Sequence, residues 1–239
     1  MCNNGKCRAA RPPAGDMKDI PKSKRYALGW YHEGITHLSI NEYEEAIAFF
    51  NKALTVIPEH PDFLIGKGDV HFAMGQYDDA FQLYQQAARV DPDSFRAWLQ
   101  SGVALLKKGR YQEALDIFTR ILPMNEYDGE LWLAHGIALF HLGRTEEAAG
   151  SLRNAMRLKP NQPALWYYLS LLEADHEQAL RYLLRGYRID STNLDIILEI
   201  ARRLMETGHH RDARVFCEKA VSLDPGNERA ASLLIRCRE

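Results

Sequence analysis

Four cysteines in 239 residues are too few and too scattered for a disulfide framework. Cys2 and Cys7 stand near the N-terminus and Cys217 and Cys237 near the other end, a usage that fits a reducing compartment, with the cytoplasm as the expected location. Long apolar runs are also missing. None approaches the ~20 residues that span a bilayer, and the first residues lack the apolar core of a signal peptide. No charge sign predominates either. Thirty Lys and Arg against 32 Asp and Glu leave a net charge of -2. Nucleic acid is therefore not an expected partner, because phosphate binding depends on clustered cations. A chain with 46% hydrophobic and 26% charged residues reads as an ordinary soluble domain.

Chemical motifs are absent on inspection. His32-Glu33 followed by His37 resembles a zinc-protease helix, but the two histidines are five apart and so lie ~140° apart around a helix. His37 and His71 read instead as core residues, and His209-His210 as a solvated turn. Gly66-Lys67-Gly68 falls inside a helical pattern, where it cannot act as a phosphate loop. Cys2 and Cys7 have no second ligand pair nearby. No nucleophile, base and orienting group can be assembled, so the expectation is a non-enzyme without a cofactor or metal.

What the chain does have is periodicity. Ala46, Ala80, Ala114 and Ala148 recur every 34 residues, and after one gap of 31 the series continues with Ala179 and Ala213. Ahead of each comes a small residue: Gly34, Gly68, Gly102, Gly136, Ser170 and Ala201. Four before these stands a large apolar one: Trp30, Leu64, Trp98, Trp132, Trp166 and Ile197. Four after the alanine come Phe50, Tyr84, Phe118, Leu152, Leu183 and Cys217. Asn41, Gly75, Gly109, Gly143 and Gly208 mark turns, and Pro58, Pro92, Pro160 and Pro225 close four copies. The spacings i, i+4 and i+7 within each half copy put these residues on one stripe of a helix. No single helix pair can bury both its faces, so neighbours must complete each core.

These columns resemble the tetratricopeptide repeat in six tandem copies, beginning near residues 27, 61, 95, 129, 163 and 194. In style they look like prokaryotic members. The resemblance implies an all-α, right-handed superhelical solenoid of helix-turn-helix repeats over residues 26–226, with a C-terminal capping helix over 227–239. Residues 1–25 carry seven basic residues against Asp16 and Asp19, and read as a flexible basic tail. Pro123 should end the second helix of the third copy early. The fifth copy has lost three residues from its turn and its turn glycine, which should tilt the sixth relative to it.

The first helix of each copy carries a second apolar stripe, which in this family lines the concave groove. The expected partner-binding residues are Tyr31, Ile35, Ile65, Phe72, Leu99, Val103, Leu133, Ile137, Phe140, Tyr167 and Leu171, with Arg96, Asp62 and Glu130 at the rim and Asp195 beside them. The lysine and asparagine clamp of chaperone-binding members is not matched, since Tyr31 and Ile35 occupy its columns. Nor is there an asparagine ladder. The groove is therefore expected to take an apolar or basic amphipathic segment of a partner protein, in the manner of an adaptor. The alternatives are a self-assembling scaffold, with the tail or groove in contact with another copy, and metal or redox sensing through the cysteines of the tail.

Overall fold

The computed structural model describes residues 22–237. The expected tail, for residues 1–21 including Cys2 and Cys7, lies outside the described residues, as do residues 238 and 239. Among the described residues there are thirteen α-helices, one short 3-10 turn and no strand. They run α1 Lys22–Ser39, α2 Tyr43–Val56, α3 Pro61–Ala73, α4 Tyr77–Val90, α5 Phe95–Lys107, α6 Tyr111–Ile121, α7 Gly129–His141, α8 Thr145–Leu158, α9 Pro163–Leu172, α10 His176–Ile189, α11 Leu194–Glu206, α12 His210–Leu223 and α13 Glu228–Arg236. The chain divides into two compact units, one ending at Ala97 and the other starting at Trp98. In the first, α1 packs on α2 and α3 on α4, with α3 also against α1 and α2. In the second, α7 pairs with α8, α9 with α10 and α11 with α12, while α9 also touches α7 and α11, and α11 touches α13. The fold class is an all-α helical-repeat solenoid.

The column glycines explain the pairing. A Cβ placed on Gly34 would lie 2.9 Å from the Phe50 ring, and one on Gly68 would lie 2.6 Å from the Tyr84 ring. Gly102 faces Phe118 more closely still, and Gly136 faces Leu152. Phe50 is shared, because Gly66 of the following helix approaches the same ring. Phe50, Tyr84, Phe118, Leu152 and Leu183 are fully buried, as are the alanines four residues before them. Trp132 and Trp166 donate their indole N–H to Glu126 O and Pro160 O, both at 2.8 Å, tying each helix to the loop before it.

The turns follow their residues. Gly143 has φ +73°, and Asn41 takes the same left-handed region at φ +62° where the first copy lacks glycine. Asp128, Asn193 and Asn227 cap α7, α11 and α13 by accepting backbone N–H groups three residues on. Helix α6 ends at Ile121, and Pro123 sits in the 3-10 turn Leu122–Met124 that follows. His37 and His71 are not the core residues expected. His37 Nδ1 donates to Glu42 Oε2 at 2.6 Å and His71 Nδ1 to Gln76 Oε1 at 2.7 Å, so each partly buried ring bridges its own turn. The same column holds Leu105 and Leu139 in later copies, each 1% exposed.

The shortened fifth turn is held by a side chain that periodicity does not single out. Arg203, buried in α11, donates from Nη2 to Ser170 O at 2.9 Å and from Nε to Glu199 Oε1 at 3.1 Å. It thereby gives a second donor to a carbonyl at the end of α9 that also accepts from the Glu173 N–H at 3.4 Å. Burial alone would raise the Glu199 carboxyl, but Arg202 and Arg203 together hold it below its ordinary value. Gly186 fits the same junction, since a Cβ there would meet Ile196 at 2.8 Å and Trp166 at 3.2 Å.

Two helical glycines should respond oppositely to alanine. Gly102→Ala forces a methyl onto the buried Phe118 ring and should cost about 1–3 kcal/mol in urea unfolding. Gly150→Ala in α8 meets nothing within 4 Å and should gain about 0.5–1 kcal/mol by the same measurement. A third expectation concerns pH. Ser151 Oγ donates to Glu147 O, so the 3.0 Å contact from His135 Nδ1 to that oxygen makes the imidazole the donor. Desolvation, with Arg144 nearby, lowers the His135 pKa below 6.5. The unfolded chain then takes up the proton first. The contribution is fully present above about pH 6.5 and is lost as pH falls through the lower folded value. Thermal midpoints should therefore drop from about pH 7 to 5, and less steeply in His135→Gln.

Candidate functional site

The expected groove residues fall into two groups, one in each unit. In the first unit, Tyr31 is half-buried and packs on Phe63 and Phe50, with ring centroids 5.3 and 5.9 Å away. Ile35 lies partly buried beside Phe50 and Val70. Phe72 stands edge-on to Tyr77 at 5.2 Å. Ile65 is 1% exposed and presents nothing to a partner, because it sits between neighbouring helices. Asp62 is exposed in the first turn of α3.

Arg96, expected as a rim cation, is already engaged. Its Nη2 donates to Asp69 Oδ2 at 2.7 Å, while the Tyr84 hydroxyl donates to Asp69 Oδ1 at 2.8 Å. Burial pushes the Asp69 carboxyl up, and Tyr84 and Arg96 oppose that rise. Asp69, the one carboxylate in a column of Ile35, Val103, Ile137, Leu171 and Arg202, is the signal from which this engagement could have been read.

The second unit contains an open cavity of about 670 Å³. Its apolar lining comes from Val103, Leu106, Leu133, Ala134, Ile137, Pro163 and Ala164 on α5, α7 and α9. Tyr111, His141, Tyr167 and Tyr168 form an aromatic wall. Tyr111 and His141 stack with centroids 4.3 Å apart and 7° between planes, and His141 Nε2 lies 3.2 Å from the Tyr168 hydroxyl. Phe140 packs edge-on against both His141 and Tyr168 without itself lining the space. Burial lowers the His141 pKa and pushes the Tyr168 hydroxyl up to about 12, so both rings are neutral and polar at neutral pH.

Of the expected residues, Val103, Leu133, Ile137, Tyr167 and Glu130 meet at this cavity, with Asp195. Leu99 does not, being 6% exposed in the core, and Leu171 lies outside the lining. The rim carries both signs. Lys107 and Lys159 stand beside Glu130 and Asp195, and Lys159 and Glu130 form an ion pair. Sequence reasoning did not find Tyr111, His141, Lys159, Asn161 and Gln162. Gln162 precedes α9 where Asp128 and Asn193 cap their helices, but its side chain makes no cap bond, and its buried Oε1 has no partner among the described residues. His141 and the Gln162-Pro163 pair belong to single copies, so no column announces them.

Similarity to known proteins fits this architecture. A chain of the Cut9–Hcn1 hetero-tetramer of the APC/C aligns with TM-score 0.84 at 22% identity, covering 91% of this chain. This chain spans only 44% of that one. PilF of Pseudomonas aeruginosa aligns with TM-score 0.75 at 18% identity, over 90% of this chain and 100% of its own. YrrB, described as a TPR protein with an unusual peptide-binding site, aligns with TM-score 0.53 at 20% identity, over 77% of this chain and 96% of its own. At these identities the likeness shows the fold alone. No curated protein sequence matches the chain. Residues 27–60 match the family model of the tetratricopeptide repeat, and residues 60–239 match that of the cilia and flagella-associated protein 70 C-terminal domain. The chain belongs to this tetratricopeptide-repeat family, whose members are generally non-catalytic modules for protein–protein interaction.

Proposed function

We propose that the protein is an adaptor that holds an apolar or amphipathic segment of a partner protein in the cavity of its second unit. The observation that carries this reading is the cavity's composition. An apolar lining of Val103, Leu133 and Ile137 sits beside polar-edged aromatic rings, which suits a side-chain anchor with a peptide backbone running over it. The orphaned Gln162 Oε1 supports the same reading, since a buried acceptor without a donor costs about 1–3 kcal/mol and a segment N–H would satisfy it. Charge adds little selectivity. With Glu130 and Lys159 paired, Asp195 offers a place for one basic group on the segment, opposite Lys107. YrrB adds support of a general kind, being another array of the same fold with a peptide-binding site.

The test uses a fluorescein-labelled Leu/Lys amphipathic peptide of about 20 residues, titrated by fluorescence anisotropy. Binding should weaken at least tenfold, about 1.4 kcal/mol, in Leu133→Asp, with the helical circular dichroism unchanged. Asp62→Asn in the first unit should leave it as it is. Equal binding by folded Leu133→Asp would remove the proposal.

A second reading, association between copies, is favoured by a separate apolar cleft of about 300 Å³ between α10, α11 and α12. Leu184 and Val215 on its edges are 40% and 63% exposed, and Asp212 is the one charged residue in its lining. A largely apolar patch suits a two-fold contact, in which like meets like. Light scattering over a concentration series should then show a dimer that Val215→Asp abolishes, and a constant monomer mass would exclude this reading.

A further inference from the structure

The last repeat differs from the others at one packing position. In two copies, the large residue four after the column alanine shares its cluster with the residue twenty positions later, on the helix that follows. Phe50 and Val70 share a buried cluster, and Leu172 packs on the cluster that contains Leu152. The same register pairs Cys217 of α12 with Cys237, the C-cap of α13. Both are free thiols, with their Sγ atoms 3.6 Å apart. Cys217 is buried and Cys237 partly exposed. Repeat geometry, which in those two copies brings two hydrocarbon side chains together, here brings two sulfurs together.

We propose that Cys217 and Cys237 form a reversible dithiol–disulfide pair that locks α13 onto the last repeat under oxidising conditions. The oxidant is a low-molecular-weight disulfide. The partly exposed Cys237 thiolate attacks one of its sulfurs, forming a mixed disulfide and releasing one thiolate. Cys217 then loses its proton and attacks the Cys237 sulfur, expelling the second thiolate. Two protein thiols are thereby oxidised, and one small disulfide is reduced to two thiols. The order follows from access, and burial, with the hydrogen bond to Cys237, pushes the Cys217 thiol up to about 12, which makes it a slow first attacker. The bond would fasten a nine-residue helix whose hold on the array is small, centred on Ala230 and Leu233 against Ile197 and Ala220. In the reduced state the end of α13 can lift and expose that apolar face; in the oxidised state it cannot.

The full chain, reduced and then treated with oxidised glutathione, tests this by intact mass, peptide mapping and hydrogen exchange. The expected product is lighter by about 2 Da and yields a peptide joining Cys217 to Cys237. Exchange across residues 228–236 slows at least ~10-fold, and dithiothreitol reverses both changes. Cys237→Ser should show neither. Stable glutathionylation of Cys237 without the link, a link to Cys2 or Cys7 instead, or a link that leaves exchange unchanged would each overturn the proposal.

Discussion

The structure rests on how near two helix backbones can come with one ring between them. Where Phe50 lies against Gly34 and Gly66, a single Cβ on either glycine would intrude on the ring. That contact sets the spacing within a pair and, because the ring is shared with the next helix, the spacing between copies as well. Dispersion and burial act over every atom of such a ring, so the arrangement tolerates little change in volume. The column alanine, on the helix that faces the glycine, serves the same end, and all six such alanines are fully buried. A repeat of this kind is specified mainly by where side chains are small.

Departures from the column are tolerated where another group fills or satisfies the space. The fifth copy loses its turn glycine and three residues, and Arg203 replaces the small or apolar residue found there in Val70, Ala104 and Ala138. Burying a guanidinium is costly unless it is paired and hydrogen-bonded, and Glu199 and Ser170 O supply both. Gly186 removes a side chain at the same junction, where Ile196 and Trp166 close in. A shortened turn, a buried ion pair and an extra glycine are therefore one adjustment rather than three separate deviations.

How much is legible in the sequence follows from this physics. Columns fixed by close approach repeat in every copy, so helix order, turn positions, the early end of α6 and the family can be read directly. Half-exposed positions obey no such constraint. The residue after the tryptophan column is buried as Ile65 and Leu99 and half-exposed as Leu133 and Tyr167, according to what its neighbours leave uncovered. His37 and His71 mislead for a related reason: periodicity places them on the core side, yet a polar group across the turn draws each ring outward. Arg96 reads as a rim cation because its partner, Asp69, stands 27 residues away in another copy.

The same reasoning explains why the cavity forms between α7 and α9. Ala134, Pro163 and Ala164 are small or rigid at positions facing the space, so they leave part of it open. The larger residues around it are committed elsewhere: Tyr111 and His141 to each other, Tyr168 to His141, and Lys159 to Glu130. Each commitment fixes a rotamer before any ligand arrives, which reduces the entropy lost on binding. Gln162 differs, because its side chain does not cap α9. On the proposed function, a preformed apolar recess with one unanswered acceptor at its edge would suit a ligand that combines an apolar side chain with a nearby N–H, and a peptide segment provides both within one residue.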